Sequence, residues 1–176
     1  MAISASASAA PVAADDRDDR IRALFEDHYA GLCRLAYLIT GDATQAEELV
    51  MDAFVRTFAG WRRIRDLDRA DSYLRKAVVN LSRSRNRRRQ TEQRSTATLP
   101  TSIAPRAESD RDDDVWDAVR ELPHRQRAAV VLRYFEDLSE ADIADALGCS
   151  VGTVKSQLSK ARAALSRALE DEGGQR

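Results

Sequence analysis

Residues 139–165 read SEADIADALGCSVGTVKSQLSKARAAL, a spacing that predicts two short helices joined by a tight turn. Ser139 is placed to cap the first helix by accepting a backbone N–H bond, with Asp142 as the weaker partner of a capping box. Ile143, Ala144 and Leu147 give that helix one apolar face. Gly148 falls where the chain must turn left-handed, which glycine does without steric cost. Ser150 caps the second helix, and Val151, Val154, Leu158, Ala161 and Leu165 form a stripe at helical spacing. Between them lie Thr153, Lys155, Ser156, Gln157, Ser159, Lys160 and Arg162. Such a helix is anchored on one side and rich in hydrogen-bond donors on the other. That suits a major groove, where amides and cations read base edges and cations grip phosphates. The plainer reading is a helical hairpin with a solvated face. The turn chemistry, the short first helix and the carboxylate-free second face favour DNA binding.

Upstream of this unit, Ala128, Val131, Leu132 and Phe135 predict one helix and Val115, Trp116 and Val119 another. Leu122-Pro123 breaks them apart, the proline suiting a helical first turn. Residues 90–112 have no apolar period and hold two of the four prolines, which marks a linker.

Before the linker the same periodicity resumes. Ile21, Leu24, Phe25, His28, Leu32, Leu35, Ala36 and Ile39 mark a long amphipathic helix that Gly41 ends. Asp42 with Gln45 starts the next, whose apolar set is Ala46, Leu49, Val50, Ala53, Phe54, Thr57 and Phe58. Its outer face carries Glu47, Glu48, Met51, Asp52 and Arg56. Residues 60–64 form a short helix or turn and 65–72 a loop dense in aspartate and arginine. A third helix starts near Asp71 and runs through Tyr73, Leu74, Ala77, Val78 and Leu81. Past Leu81 the apolar stripe stops, yet helix-compatible residues continue.

Charge is distributed in blocks. The 176 residues have a net charge of −1, but residues 82–94 hold six arginines against Glu92, and residues 108–117 hold six carboxylates against Arg111. A helix buried in its first half and projecting arginines in its second suits phosphate binding. The alternative is a basic helix end favoured by the macrodipole, but six arginines exceed what capping needs.

Cys33 and Cys149 lie far apart with no ligand spacing and suit a reducing compartment as small buried hydrophobes. His28 and His124 are isolated, so neither is assigned a metal or an acid–base role, and no cofactor is expected. No apolar run reaches membrane-spanning length, and the first ten residues lack the pattern of a signal peptide. A cytoplasmic location and no membrane insertion are expected. A long C-terminal extension is also lacking, which argues against a built-in regulatory domain. Neither a phosphate-cradling glycine loop, a nucleophile–base pair nor a metal cluster is legible, so no catalytic residues are assigned.

In this order the motifs resemble the extracytoplasmic-function sigma factors, bacterial transcription initiation factors, from about Ile21 to Leu169. Residues 35–42 (LAYLITGD) and 46–54 (AEELVMDAF) resemble the first two helices of the family's promoter-melting domain, and residues 72–80 (SYLRKAVVN) resemble its −10-reading helix. Leu122-Pro123, Leu132-Arg133 and residues 148–156 (GCSVGTVKS) resemble its −35-reading domain. The resemblance implies an all-α fold of two small helical domains joined by a flexible linker, the C-terminal one a helix-turn-helix. The boundaries expected are a disordered tail at 1–19, an N-terminal domain at 20–90, the linker at 91–112, the C-terminal domain at 113–171 and a tail at 172–176.

It also implies roles. Glu47, Glu48, Met51 and Asp52 lie where the family docks on core RNA polymerase, and a carboxylate face opposite an apolar one independently suits a basic partner. The loop 65–72, ending in Asp71 and Ser72, lies where a flipped −10 base is captured, a step that costs a few kcal/mol of unstacking. Asn80, Arg83, Ser84, Arg87 and Arg88 lie on the helix that holds the single-stranded −10 element. Asn80 as a helix-capping or buried structural residue is the alternative, and Trp61 reads as core packing. Lys155, Ser156, Gln157, Ser159 and Lys160 fall on the duplex −35 element, together with Thr153, and Arg162 and Arg133 on phosphates.

Two positions depart from the family pattern: Met51, where glutamine is common, and Gln157, where arginine is common. Glutamine favours adenine over the guanine that arginine prefers. An acidic linker at 108–114 suits either a nucleic-acid channel in polymerase or a solvated spacer. An anti-sigma protein is a partner of many family members, although no sequence feature here establishes one. The competing functional readings are a stand-alone helix-turn-helix regulator that binds duplex DNA without polymerase, and an RNA-binding or adaptor protein using residues 83–94 as a basic arm.

Overall fold

The computed structural model describes residues 14–59, 70–95 and 111–173, and among these every regular element is a helix. The expected turn at 60–64 with Trp61, most of the 65–72 loop, the linker centre and the outer ends of both tails lie outside the described residues.

Helix α1 (Ala14–Thr40) buries Leu32, Leu35, Ala36 and Ile39, one turn apart along a single face. It stops because Gly41 takes φ 77°, where its N–H donates to the Tyr37 carbonyl at 2.7 Å. The Asp42 carboxylate then accepts the Gln45 N–H at 2.9 Å and starts α2 (Ala43–Ala59). So short a connection folds α2 back along α1. The facing stripe Ala46, Leu49, Val50, Ala53 and Phe54 is buried there, and Phe25 packs on Phe54 with ring centres 5.0 Å apart. Helix α3 (Ala70–Ser95) closes this half with Leu74, Val78, Val79 and Leu81. Its stripe ends at Ser82, whose buried hydroxyl donates to the Val79 carbonyl at 2.8 Å.

The second half begins with α4 (Arg111–Glu121) and α5 (His124–Val130). Pro123 sits just ahead of α5 in an extended conformation (φ −52°, ψ 139°), one position earlier than the first turn expected of it. The continuous helix predicted through Phe135 instead widens into a π-helical turn at Val131–Phe135, with the Glu136 N–H reaching the Val131 carbonyl at 3.2 Å. Asp137 follows at φ 49° and leads into α6 (Glu140–Leu147).

The helix-turn-helix forms from its local chemistry. Ser139 Oγ accepts the Asp142 N–H at 3.2 Å. The Asp142 carboxylate accepts the Ser139 hydroxyl instead of reaching back to the Ser139 N–H, as glutamate does in a full capping box. Gly148 takes φ 59°, and the Cys149 N–H returns to the Ala144 carbonyl at 3.0 Å, closing α6. Ser150 Oγ accepts the Thr153 N–H at 3.2 Å and opens α7 (Val151–Gly173). Val154, Leu158 and Ala161 are buried, each large side chain contributing roughly 1.5–3 kcal/mol. Val151, expected in that stripe, is 39% exposed because it lies in the first turn at the margin of the core.

The two halves pack against one another, α3 against α6 and α5 and α1 against α5, so that their cores are continuous. The junction is polar at its rim. Arg75 Nε meets Glu136 Oε2 at 2.8 Å and Arg75 Nη2 meets Asp71 Oδ2 at 2.7 Å. Lys76 pairs with Asp145 at 2.7 Å, an exposed contact that adds at most ~1 kcal/mol. Arg75 and Glu136 are 19% and 16% exposed and so less screened by water, which makes their pair the stronger determinant of how the halves seat. No helix among the described residues is long and apolar enough to cross a membrane.

Candidate nucleic-acid interface

The basic end of α3 has a defined orientation. Leu81 and Ser82 are buried, which turns Asn80, Arg83, Ser84 and Arg87 outward at spacings of three and four residues, along one exposed face. Not all the arginines are bare, as the sequence suggested. Arg85 is held by Glu48 of α2 at 2.8 Å, and Arg88 by Glu92 at 2.8 Å. Arg83 donates to the Leu147 carbonyl at 3.1 Å, whereas Arg87 makes no side-chain contact of this kind to another described residue. Ser72 is exposed, and Asp71 is occupied by Arg75 and lies 3.6 Å from His28 Nδ1.

On α7, Lys155, Ser156, Ser159, Lys160 and Arg162 are exposed, opposite buried Val154, Leu158 and Ala161. Lys155 lies 3.7 Å from Glu140. Thr153 is half-buried and shares its hydroxyl with Ser150 at 2.9 Å, so part of its bonding capacity serves the cap. Gln157 is half-buried and faces the same cleft as Asn80, Arg83 and Arg87. Arg133 donates to the Leu138 carbonyl at 2.7 Å and steadies the turn before α6. A third surface lies on α2, where Glu47, Glu48, Met51 and Asp52 are all exposed and Val55 extends the apolar part.

The halves of the chain correspond to two family models: residues 24–92 match sigma-70 region 2 and residues 112–165 match sigma-70 region 4. The RNA polymerase sigma-E factor of Streptomyces coelicolor is 37% identical over 140 residues, covering 78% of this chain and 79% of that protein. The ECF RNA polymerase sigma factor SigL of Mycobacterium tuberculosis is 35% identical over 161 residues, covering 87% and 90%. This chain belongs to the ECF sigma factors. Among solved structures, the sigma factor RpoE in complex with the anti-sigma factor NepR from Bartonella quintana is similar at a TM-score of 0.71 and 26% identity, covering 87% of this chain and 98% of that one. CnrH in complex with the cytosolic domain of CnrY shares the fold at a TM-score of 0.60 and 22% identity.

Several residues of this sigma factor acquire parts that its sequence did not announce. Arg127 is half-buried and donates to the Ile39 carbonyl at 3.2 Å, the Leu122 carbonyl at 3.2 Å and the Arg120 carbonyl, tying the end of α1 to the α4–α5 break. A cation at the C-terminus of α1 is also favoured by the helix dipole. Arg120 in turn donates to the Tyr37 hydroxyl at 3.1 Å. No local pattern announces the contacts of Arg127 with Ile39 and of Arg120 with Tyr37, because those partners lie on α1.

His124 is the other such residue. Burial, aided by the Arg127, Arg125 and Arg83 cations, pushes its pKa down from 6.5 to about 4. In the unfolded chain it takes up a proton near pH 6.5, whereas the folded chain resists until about pH 4. Stability from this residue is therefore intact above pH 6.5 and falls as the pH drops toward 4, by on the order of 2–3 kcal/mol. Urea unfolding of His124→Asn, compared with the parent chain from pH 7 to pH 4.5, is expected to show a visibly flatter dependence.

Proposed function

We propose that this sigma factor binds core RNA polymerase through the exposed acidic and apolar face of α2, with Glu47, Glu48, Met51 and Asp52. Asn80, Arg83, Ser84, Arg87 and Arg88 of α3, with Asp71 and Ser72 at its start, hold the single-stranded −10 element. Thr153, Lys155, Ser156, Gln157, Ser159 and Lys160 read the duplex −35 element, with Arg162 and Arg133 on phosphates. The chain acts by positioning and capture and performs no catalysis of its own. It works in the cytoplasm, and an anti-sigma protein is a fitting partner because RpoE is found with one.

The observation that carries this reading is the outward row Asn80, Arg83, Ser84 and Arg87 beside buried Leu81 and Ser82. A stand-alone regulator needs only the helix-turn-helix and has no use for a second, arginine-rich face in the other half. The two faces also impose a motion. Elements near −35 and −10 lie about 25 base pairs apart, roughly 85 Å at about 3.4 Å per base pair. Gln157 and Asn80 border one cleft of about 590 Å³, so the halves must separate to engage both elements.

The test is binding with and without core enzyme. The isolated protein is expected to bind promoter duplex weakly and the assembly with core strongly; tight dimeric binding by the protein alone on paired half-sites belongs to the stand-alone regulator. Base choice is tested separately. Gln157→Arg is expected to shift preference from adenine toward guanine at one or two −35 positions, by about 1–3 kcal/mol. An unchanged preference profile across randomised −35 sequences would remove Gln157 from the reading set.

A further inference from the structure

The cleft between the halves has the chemistry of a small-molecule site. We propose that it binds a short polyphosphate group, free or as the tail of a nucleotide, held between α3 and the start of α5. Its volume of about 590 Å³ is that of a small ligand and far below what a duplex requires. Arg83 and Arg87 line it from α3, and His124 and Arg125 from α5. Asn80 and Gln157 add amide donors, and no carboxylate lines it.

Three arginine forks converging from two helices suit the several acceptor oxygens of adjacent phosphates, which a lone phosphate would engage only in part. Arg87 and Arg125 have no side-chain hydrogen bond or ion pair to another described residue, so both are available. His124 forms a wall shared with a smaller cleft of about 250 Å³, and its Nε2 is buried without a hydrogen-bond partner. The cations around the cleft leave a positive field, which also contributes to holding His124 neutral. No Phe, Tyr or Trp side chain lines the site among the described residues, so a nucleobase has only the small His124 ring to stack on and the phosphates carry most of the affinity.

A ligand spanning α3 and α5 holds the two halves together. It also covers Arg83, Arg87 and Gln157, so it opposes promoter engagement; this consequence, unlike the binding itself, rests on the promoter roles proposed above. Binding is therefore measured on the full chain without DNA or polymerase.

Inorganic tripolyphosphate is titrated by calorimetry at 0.1 M salt into the parent chain and into Arg87→Ala, Arg125→Ala and the control Arg34→Ala, which removes one exposed charge outside the cleft. Saturable one-to-one binding is expected, weakened about ten-fold or more by each cleft variant and unchanged by the control. The His124 ring resonances are expected to shift on binding in the parent. Adenosine and guanosine triphosphates serve as the second arm. Affinity equal to tripolyphosphate assigns the site to the phosphate chain, and tighter binding assigns it to a nucleotide whose sugar or base meets the amides. Absence of saturable binding up to millimolar ligand overturns the proposal. So does weakening by Arg87→Ala but not Arg125→Ala, because that pattern belongs to a basic helix rather than a bridged cleft. Circular dichroism of each variant separates lost binding from lost folding.

Discussion

Replacing Arg83 and Arg87 together by alanine is expected to weaken the promoter complex formed with core polymerase by about 10- to 100-fold at 0.15 M salt. Each phosphate contact to a single strand contributes about 0.7 to the slope of log affinity against log salt, so the slope should flatten by roughly 1.4. The loss should be similar for every promoter, because phosphates carry no sequence. One competing effect has the opposite sign. Arg83 also donates to the Leu147 carbonyl across the junction, and losing that bond eases separation of the halves. An exposed hydrogen bond of this kind contributes about 1 kcal/mol or less, so the loss of DNA contacts dominates. Filter binding or fluorescence anisotropy across a salt series measures both quantities. A defect confined to one promoter, with the slope unchanged, would assign these arginines to another task.

Ile143→Ala is expected to have the largest effect on stability. Ile143 is fully buried at the centre of α6, in the core where α6 and α7 pack together. Truncation removes three carbon atoms from a close-packed site and leaves a cavity, which typically costs about 2–5 kcal/mol. Whole domains are stable by only about 5–15 kcal/mol, so much of the margin of the C-terminal half disappears. The functional consequence is selective. α1, α2 and α3 keep their own core of Leu35, Ile39, Leu49, Val50, Leu74 and Val78, all buried, so co-elution with core polymerase should survive while −35-dependent binding is lost. Urea unfolding followed by circular dichroism, together with gel filtration in the presence of core enzyme, checks both halves of this expectation.

The parts of this structure that could be read from the sequence are those set by neighbours along the chain. Ser139, Gly148, Ser150, Gly41 and Asp42 act on backbone groups within a few residues, and each is found in its expected place. Amphipathic stripes were legible for the same reason: a helix repeats every 3.6 residues whatever it packs on. The π-helical turn at Val131–Phe135 was not, because one extra residue in a turn leaves the apolar pattern nearly intact.

Nor could sequence pair Arg75 with Glu136, 61 residues away, or place Arg127 on the Ile39 carbonyl. For the candidate site, the donor-rich face of α7 and the arginine-rich end of α3 were both apparent. Their meeting around one cleft was not, since it arises from packing of α3 on α5 and α6 rather than from either helix alone. Arg85 differs from Arg87 because α3 packs on α2 and meets Glu48 there, whereas Arg88 is engaged by Glu92 one turn on along α3 itself.

The proposed use of two separate DNA-reading faces to bring core polymerase to promoters is tested most directly by transcribing fragmented genomic DNA with bacterial core polymerase, with and without the protein, and mapping the RNA 5′ ends. New starts that share two upstream elements, one near −10 lost with Arg83→Ala/Arg87→Ala and one near −35 altered by Gln157→Arg, are the predicted result. No new starts, in a preparation where the protein also fails to co-elute with core enzyme, would contradict it.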